Sequence, residues 1–181
     1  MSITLRNSTD FVAQYVVKKG TQILSLLPGI EPGAKLNVPT DETYEVVATT
    51  LIDGNTYTSA PIEVSGSMGF LAQVLQVESQ GTYEFDVQES PSNVADQLSF
   101  QKTCHNPVTF TITKDGKPLQ NVVVNDSYHV ETVDISETFS IHAVIDGVTT
   151  STLVTTNADA VITATTNDSN LESGYFRLVS K

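Results

Sequence analysis

The chain has 181 residues, no tryptophan and 39% apolar residues, which is enough to build a hydrophobic core in one domain or in two small ones. Its 21 acidic residues outnumber 9 basic ones and give a formal net charge of −12, so nucleic acid and anionic lipid are poor partners. Cys104 is the single cysteine, which excludes an intramolecular disulfide.

The chain begins without a basic segment followed by an apolar run, so we expect no signal peptide. No segment approaches the ~18 consecutive apolar residues of a membrane-spanning helix. We therefore expect a soluble protein that is cytoplasmic as synthesised, and export without a leader stays open.

One sequence pattern occurs twice, in the same order, in the two halves of the chain. The recurring segments, each with its second copy, are Glu42–Tyr44 with Glu137–Phe139, Ile52–Gly54 with Ile145–Gly147, and Gly81–Tyr83 with Ser173–Tyr175. The apolar residues between them also correspond and alternate with period two, as in strands with one buried face. We therefore predict an internal duplication, with β-sandwich modules at 1–90 and 97–181 and a polar linker at 91–96.

Alternating apolar residues bounded by turn residues predict eight strands in each module. The first module has them at 3–6, 11–18, 22–27, 35–38, 43–52, 55–64, 70–77 and 83–88. The second has them at 98–102, 107–114, 118–124, 128–133, 138–145, 148–155, 160–165 and 174–179. Three Asp-Gly pairs, at 53–54, 115–116 and 146–147, are typical of tight hairpin turns, which require positive φ.

Residues Gly69–Glu78 carry apolar side chains at a spacing that also fits a helix. Phe70, Leu71, Val74 and Leu75 would form one face of a short amphipathic helix. The matching segment of the second module, 161–165, is rich in β-branched residues and is typical of a strand. Because duplicated modules share a topology, we predict strands at both places.

Each half is similar in style to immunoglobulin-like or transthyretin-like β-sandwich repeats. The resemblance rests on the opening ITLRNST, on PGAKLNVPTDETYEVVATTLIDGNTYTS and on its echo ETFSIHAVIDGVTT. It implies an all-β fold of two tandem sandwiches and no particular activity, because this class of fold serves many functions. The paired cysteines and buried tryptophan of antibody domains are absent.

Two polar loops late in the chain offer oxygen atoms that a calcium ion could use. The candidate ligands are Asn157, Asp159, Asn167, Asp168, Asn170 and Glu172. Calcium takes about six to eight oxygen ligands, whereas the same residue types also dominate ordinary turns. No other cofactor is indicated.

Cys104-His105 is the pair that could supply a nucleophile and a base, with His129 or His142 as another base. No motif orients these residues, and the first half has Thr9-Asp10 near the corresponding place. We therefore expect an ordinary half-buried cysteine and a protein that is not an enzyme.

These observations favour a non-catalytic binding or structural protein, whose loops and strand faces contact a protein, a glycan or another copy of the chain. The alternative is a membrane-acting protein of the pore-forming or insecticidal β class, in which Phe70, Leu71, Val74 and Leu75 would enter the bilayer. A hydrolase with an unrecognised site is the third hypothesis.

Overall fold

The computed structural model describes residues 1–26, 29–167 and 175–181, and every regular element in these residues is a β-strand. None of them forms a helix long and apolar enough to cross a membrane. The strands of the first half are β1 (Ser2–Asn7), β2 (Ala13–Lys19), β3 (Gln22–Leu26), β4 (Lys35–Pro39), β5 (Tyr44–Ile52), β6 (Asn55–Thr58), β7 (Ile62–Val64), β8 (Met68–Val77) and β9 (Thr82–Pro91). Those of the second half are β10 (Gln97–Lys102), β11 (Val108–Lys114), β12 (Lys117–Val124), β13 (Glu131–Asp134), β14 (Phe139–Ile145), β15 (Val148–Thr149), β16 (Leu153–Thr155), β17 (Val161–Thr166) and β18 (Phe176–Ser180).

The prediction of an all-β protein is confirmed, and the ambiguous segment Gly69–Glu78 is strand β8 rather than a helix. Two predicted strands, 55–64 and 148–155, are each divided into two shorter strands. The break has a local cause in both places. Ser59 Oγ accepts a hydrogen bond from the Ala48 amide (2.9 Å), and Thr150 Oγ1 accepts one from the Ala143 amide (3.0 Å). A side-chain oxygen thus replaces a backbone carbonyl in the ladder, which lets the chain leave the sheet there.

The chain divides into two compact units that are not its two consecutive halves. Unit 1 is Met1–Glu42 together with Ser136–Lys181, and unit 2 is Thr43–Ile135. The predicted linker, 91–96, lies inside unit 2, because the strands on either side of it, β9 and β10, both pair with β8. The division therefore differs from the predicted modules 1–90 and 97–181.

The described residues of unit 1 form two sheets. One has the strand order β18-β17-β1-β4, and the other has the order β15-β14-β2-β3 with β16 also paired to β14. The pairing of β1 with β17 is parallel and places Leu5 opposite Ile162. The two sheets are tied together inside the unit by Tyr15 of β2, whose hydroxyl donates a hydrogen bond to the Arg6 carbonyl of β1 (2.7 Å).

Unit 2 has the corresponding pair of sheets. Their orders are β13-β10-β8-β9 and β12-β11-β5-β6, with β7 also paired to β5. The parallel pairing of β10 with β8 places Phe100 opposite Phe70, and their rings stack at a centroid distance of 5.3 Å. Phe100 also contacts Phe110 of the facing sheet at 5.0 Å, so these aromatic rings form the centre of a sandwich-like core.

Buried residues follow the predicted alternation. Tyr44 and Phe139, the matched residues of the two halves, are both buried. The Asp-Gly turns have the expected positive φ at both residues, for example 51° at Asp53 and 80° at Gly54. The alternating pattern therefore predicts correctly which strand residues face the core, and the Asp-Gly pairs predict the turns.

Candidate functional site

A cavity of about 750 Å³ lies in unit 2, between the segment that follows β10 and the loop that joins β12 to β13. Every residue that lines it carries a polar group, and the lining holds one cation and one carboxylate. The residues that line it are Lys102, Thr103, His105, Asn125, Asp126, Ser127 and Tyr128. We call it the Lys102 cavity.

Lys102 is a fully buried lysine with 2% of its surface exposed. It occupies an inward position of β10, in phase with Leu98 and Phe100, so its side chain runs along the apolar core before its ammonium reaches the end of the sandwich. The ammonium donates hydrogen bonds to the Cys104 carbonyl (2.8 Å), the His105 carbonyl (3.3 Å) and Ser127 Oγ (3.4 Å). Because an ammonium has three donors, its hydrogen-bonding capacity is filled, and its role is to hold these two segments together.

The loop that follows β12 presents Tyr128 to solvent. The Tyr128 side chain is 98% exposed, yet its backbone is held by a hydrogen bond from its amide to Asp126 Oδ1 (2.9 Å). Ser127 Oγ donates to the Cys104 carbonyl (3.1 Å), which anchors the same loop to the segment after β10. An aromatic ring is therefore held out beside a polar cavity by an ordered loop.

Cys104 lacks the environment of a nucleophile. Its thiol donates to the Asn106 carbonyl (3.6 Å), and burial raises the pKa of the thiol, so it is protonated at neutral pH. His129 instead pairs with Glu131 (3.1 Å), and His142 belongs to the other unit.

The predicted calcium ligands are only partly placed by the structure. The Asn157 side-chain oxygen accepts from the Asp159 amide (3.0 Å) and closes a turn. Asp159 Oδ1 accepts from the Ser2 amide (2.8 Å) and so holds the start of β1. Asn167 is buried. Asp168, Asn170 and Glu172 lie outside the described residues. Among the residues that are described, no three His, Cys, Asp or Glu side chains lie close enough to hold a metal ion.

The four residues proposed for membrane insertion do not share one face. Phe70 is buried against Phe100, and Val74 has the same inward phase. Leu71 and Leu75 point to the opposite side of the sheet, where Leu75 is exposed. Strand β8 is also hydrogen-bonded on both edges, to β9 and β10.

Comparison with models of known protein families, with curated proteins and with solved structures gives no match for this chain. The site must therefore be interpreted from its own residues.

Sequence reasoning missed both Lys102 and Tyr128. The signal for Lys102 was present, because period two continues the inward positions Leu98 and Phe100 to residue 102. Tyr128 was assigned to a predicted strand at 128–133, whereas β13 begins at Glu131. The turn-forming residues Asn125, Asp126 and Ser127 continue into a loop that delays the strand.

Proposed function

We propose that this protein is a non-catalytic binding protein that contacts a glycan through the Lys102 cavity and the exposed ring of Tyr128. The observation that carries the proposal is the exposure of Tyr128, 98%, on a loop whose backbone is fixed by hydrogen bonds. A rigidly held tyrosine offers a large apolar surface at a small entropic cost. The face of a sugar ring can stack on such a ring, while polar groups beside it bind hydroxyls.

The neighbouring polar side chains suit hydroxyl recognition. Asn125, Asp126 and His105 line the cavity beside Tyr128 and offer amide, carboxylate and imidazole groups. Loops of this composition, rich in Tyr, Ser and Asn, combine a stacking anchor with adaptable hydrogen bonding. Protein contacts and self-association are the other two ligand classes that the fold could serve, and the experiment below separates the glycan from them.

Lys102 and Ser127, two polar groups of the cavity, are already engaged, and the Cys104 thiol beside the cavity is a poor nucleophile. Lys102 has its three donors satisfied by protein oxygens, and the Ser127 hydroxyl accepts from Lys102 and donates to a carbonyl. The Cys104 thiol has a raised pKa. These contacts support a binding role over hydrolysis. The membrane-acting alternative would require β8 to separate from both neighbouring strands.

We also propose that the two units arose by duplication of a nine-stranded immunoglobulin-like or transthyretin-like sandwich. The support is the agreement of strand order: β18-β17-β1-β4 in unit 1 corresponds, strand for strand, to β9-β8-β10-β13 in unit 2. The register agrees as well, since Val17 lies opposite Ile141 and the matching Ile112 lies opposite Val46. On this proposal each unit combines strands one to four of one copy with strands five to nine of the other.

A glycan array probed with three proteins tests the binding proposal. Wild type is expected to bind a defined set of glycans, Tyr128→Ala to lose at least about tenfold in affinity for them, and Tyr175→Ala to retain them. Tyr175 is the matched control because it is also exposed, at 58%, but belongs to unit 1. The absence of specific binding by wild type, or equal binding by Tyr128→Ala, would refute the proposal.

A further inference from the structure

Unit 1 carries a cationic surface that is unexpected in a protein of this charge. Arg6 and Arg177 occupy outward positions of the sheet β18-β17-β1-β4, next to residues that point inward, and Lys35 lies on the same face because it is opposite Arg6 in the register. Arg6 and Arg177 are the only two arginines in the sequence. Across the outward positions of these four strands there is no aspartate or glutamate. We call this surface the Arg6 face.

The strand register brings these charges together. Arg6 lies directly opposite Lys35 on one side and Thr163 on the other, and the next outward residue of β17, Thr165, lies opposite Arg177. Two like charges placed opposite each other across strands repel. Neither guanidinium has an ion-pair or hydrogen-bond partner among the described residues. The arrangement therefore costs stability that a bound anion would restore.

Two shallow grooves meet at Arg6. One, of about 360 Å³, extends past Thr163 and Thr165 to Arg177, and the other, of about 300 Å³, extends to Lys35. Oγ1 of Thr165 is shielded from solvent and has no hydrogen-bond partner among the described residues. Such an unsatisfied hydroxyl is costly.

The corresponding face of unit 2 gives an internal comparison. The sheets of the two units can be matched by aligning the opposed residues Leu5 and Ile162 with the opposed residues Phe100 and Phe70. Gln101 then takes the place of Arg6, and Asp86 takes the place of Arg177. The fold thus forms the same sheet without these cations. The positive charge is a property of unit 1 alone and not a requirement of the architecture.

We propose that the Arg6 face binds a small oxyanion, namely the phosphoryl or sulfuryl group of a monoester. Arg6 and Arg177 hold it from two sides, because planar guanidinium groups bind such oxyanions through paired N–H donors. Lys35 adds charge at one end, and the Thr163 hydroxyl donates to one of the remaining oxygens. Each groove has room for one such group. A long polyanion is disfavoured by the net charge of −12, whereas charges more than about 8 Å away are largely screened from a small ligand at physiological salt.

Titration calorimetry with methyl phosphate and with methyl sulfate, at constant ionic strength, tests this proposal. Work at about pH 8 keeps the phosphate monoester dianionic, since its second pKa is about 6. We expect saturable binding of one equivalent of ester per chain. Tighter binding of methyl phosphate would identify a phosphoryl group as the ligand, and tighter binding of methyl sulfate would identify a sulfuryl group. In Arg6→Gln and in Arg177→Gln the affinity should fall about tenfold each.

Amide NMR spectra taken during the same titration should shift at Arg6, Thr163 and Arg177, and they also show that each variant is folded. The control is Lys117→Gln, which removes an exposed cation of unit 2 and should leave the affinity unchanged. Wild type that does not saturate below about 10 mM of either ester, corresponding to less than about 3 kcal/mol of binding free energy, would overturn the proposal. Wild-type affinity in both Arg6→Gln and Arg177→Gln would overturn it too.

Discussion

At the residue scale, two buried tyrosines differ in one contact. The Tyr15 hydroxyl donates to the Arg6 carbonyl (2.7 Å), whereas the buried hydroxyl of Tyr44 has no hydrogen-bond partner among the described residues. We predict that Tyr15→Phe lowers the free energy of unfolding by about 1–2 kcal/mol and that Tyr44→Phe leaves it unchanged or raises it by up to about 1 kcal/mol. Urea denaturation of both variants measures this difference. A loss in Tyr44→Phe as large as in Tyr15→Phe would contradict it.

The second half of the chain supports this expectation. Phe110 and Phe139 stand at the positions that match Tyr15 and Tyr44, and both are buried. The matching core positions of the second half therefore accept an aromatic ring without a hydroxyl. We expect the same of the first half wherever removal of the hydroxyl leaves no buried acceptor without a hydrogen-bond donor.

The same tyrosines predict a loss of stability in alkali. Burial raises the pKa of Tyr15 and of Tyr44 to about 12, from about 10 for an exposed tyrosine. Below pH 10 the two hydroxyls are protonated in both the folded and the unfolded chain, so the stability gained by burying them in neutral form is fully present. Between about pH 10 and 12 the unfolded chain ionises first, and stability falls as the pH rises. The double variant with phenylalanine at both positions should show a flatter profile of urea midpoint against pH, and an equally steep one would show that other groups are responsible.

Residue-level prediction from the sequence succeeded where an alternating pattern was complete. Tyr44 and Phe139 each begin an alternating apolar segment, and both are buried. Prediction from the sequence failed for Lys102, because a charged residue at the end of an apolar alternation is normally expected to be exposed. Its burial is explained only by the three oxygens that accept hydrogen bonds from its ammonium. Those oxygens come from two segments that only the folded chain brings together.

At the element scale, the hairpin turns carry a specific backbone requirement. Gly147 has a φ of 75° and follows Asp146 at 49°, as expected of a tight two-residue turn. A Cβ added to Gly147 would meet no atom within 4 Å, so the cost of a substitution there comes from the backbone alone. Gly147→Ala should therefore lower the free energy of unfolding by about 1–2 kcal/mol.

The matched control for this turn is Asp146→Asn, because Asn-Gly adopts the same positive φ values readily. Thermal or urea unfolding should place this variant within about 0.5 kcal/mol of wild type. If both substitutions cost the same, contacts of the Asp146 side chain rather than the backbone would determine the stability of the turn.

Strand positions could be predicted, but strand partners only in part. Hairpins such as β5–β6 and β11–β12 follow from the turn residues between their strands. The parallel pairs β1–β17 and β8–β10 have no local signal, because their strands are joined by no turn. In a repeated sequence, pairing within a half and pairing between halves bury similar side chains. The connection between β4 and β5, residues 40–43, is short, and on the proposed duplication a short connection favours exchange of strands between copies.

At the scale of the whole molecule, the division into two units determines which part of the chain can fold alone. Residues 43–135 contain β5 to β13, and every pairing of these strands is made within that range. The first half, 1–90, by contrast, loses the pairings β1–β17, β2–β14, β5–β11 and β8–β10 when it is separated from the second half. Each lost pairing exposes a strand edge that promotes association.

We therefore predict that the fragment 43–135 folds on its own, whereas 1–92 and 93–181 fold only when they are mixed. The fragment 43–135 should be monomeric, give dispersed amide NMR signals and unfold cooperatively in urea, because both of its sheets and the Phe70–Phe100–Phe110 cluster are retained. The mixed halves should form a complex with one copy of each, since every missing partner strand lies on the other fragment. The opposite result, a stable 1–92 and an unfolded 43–135, would mean that the consecutive halves are the true folding units and that the strand exchange is incorrect.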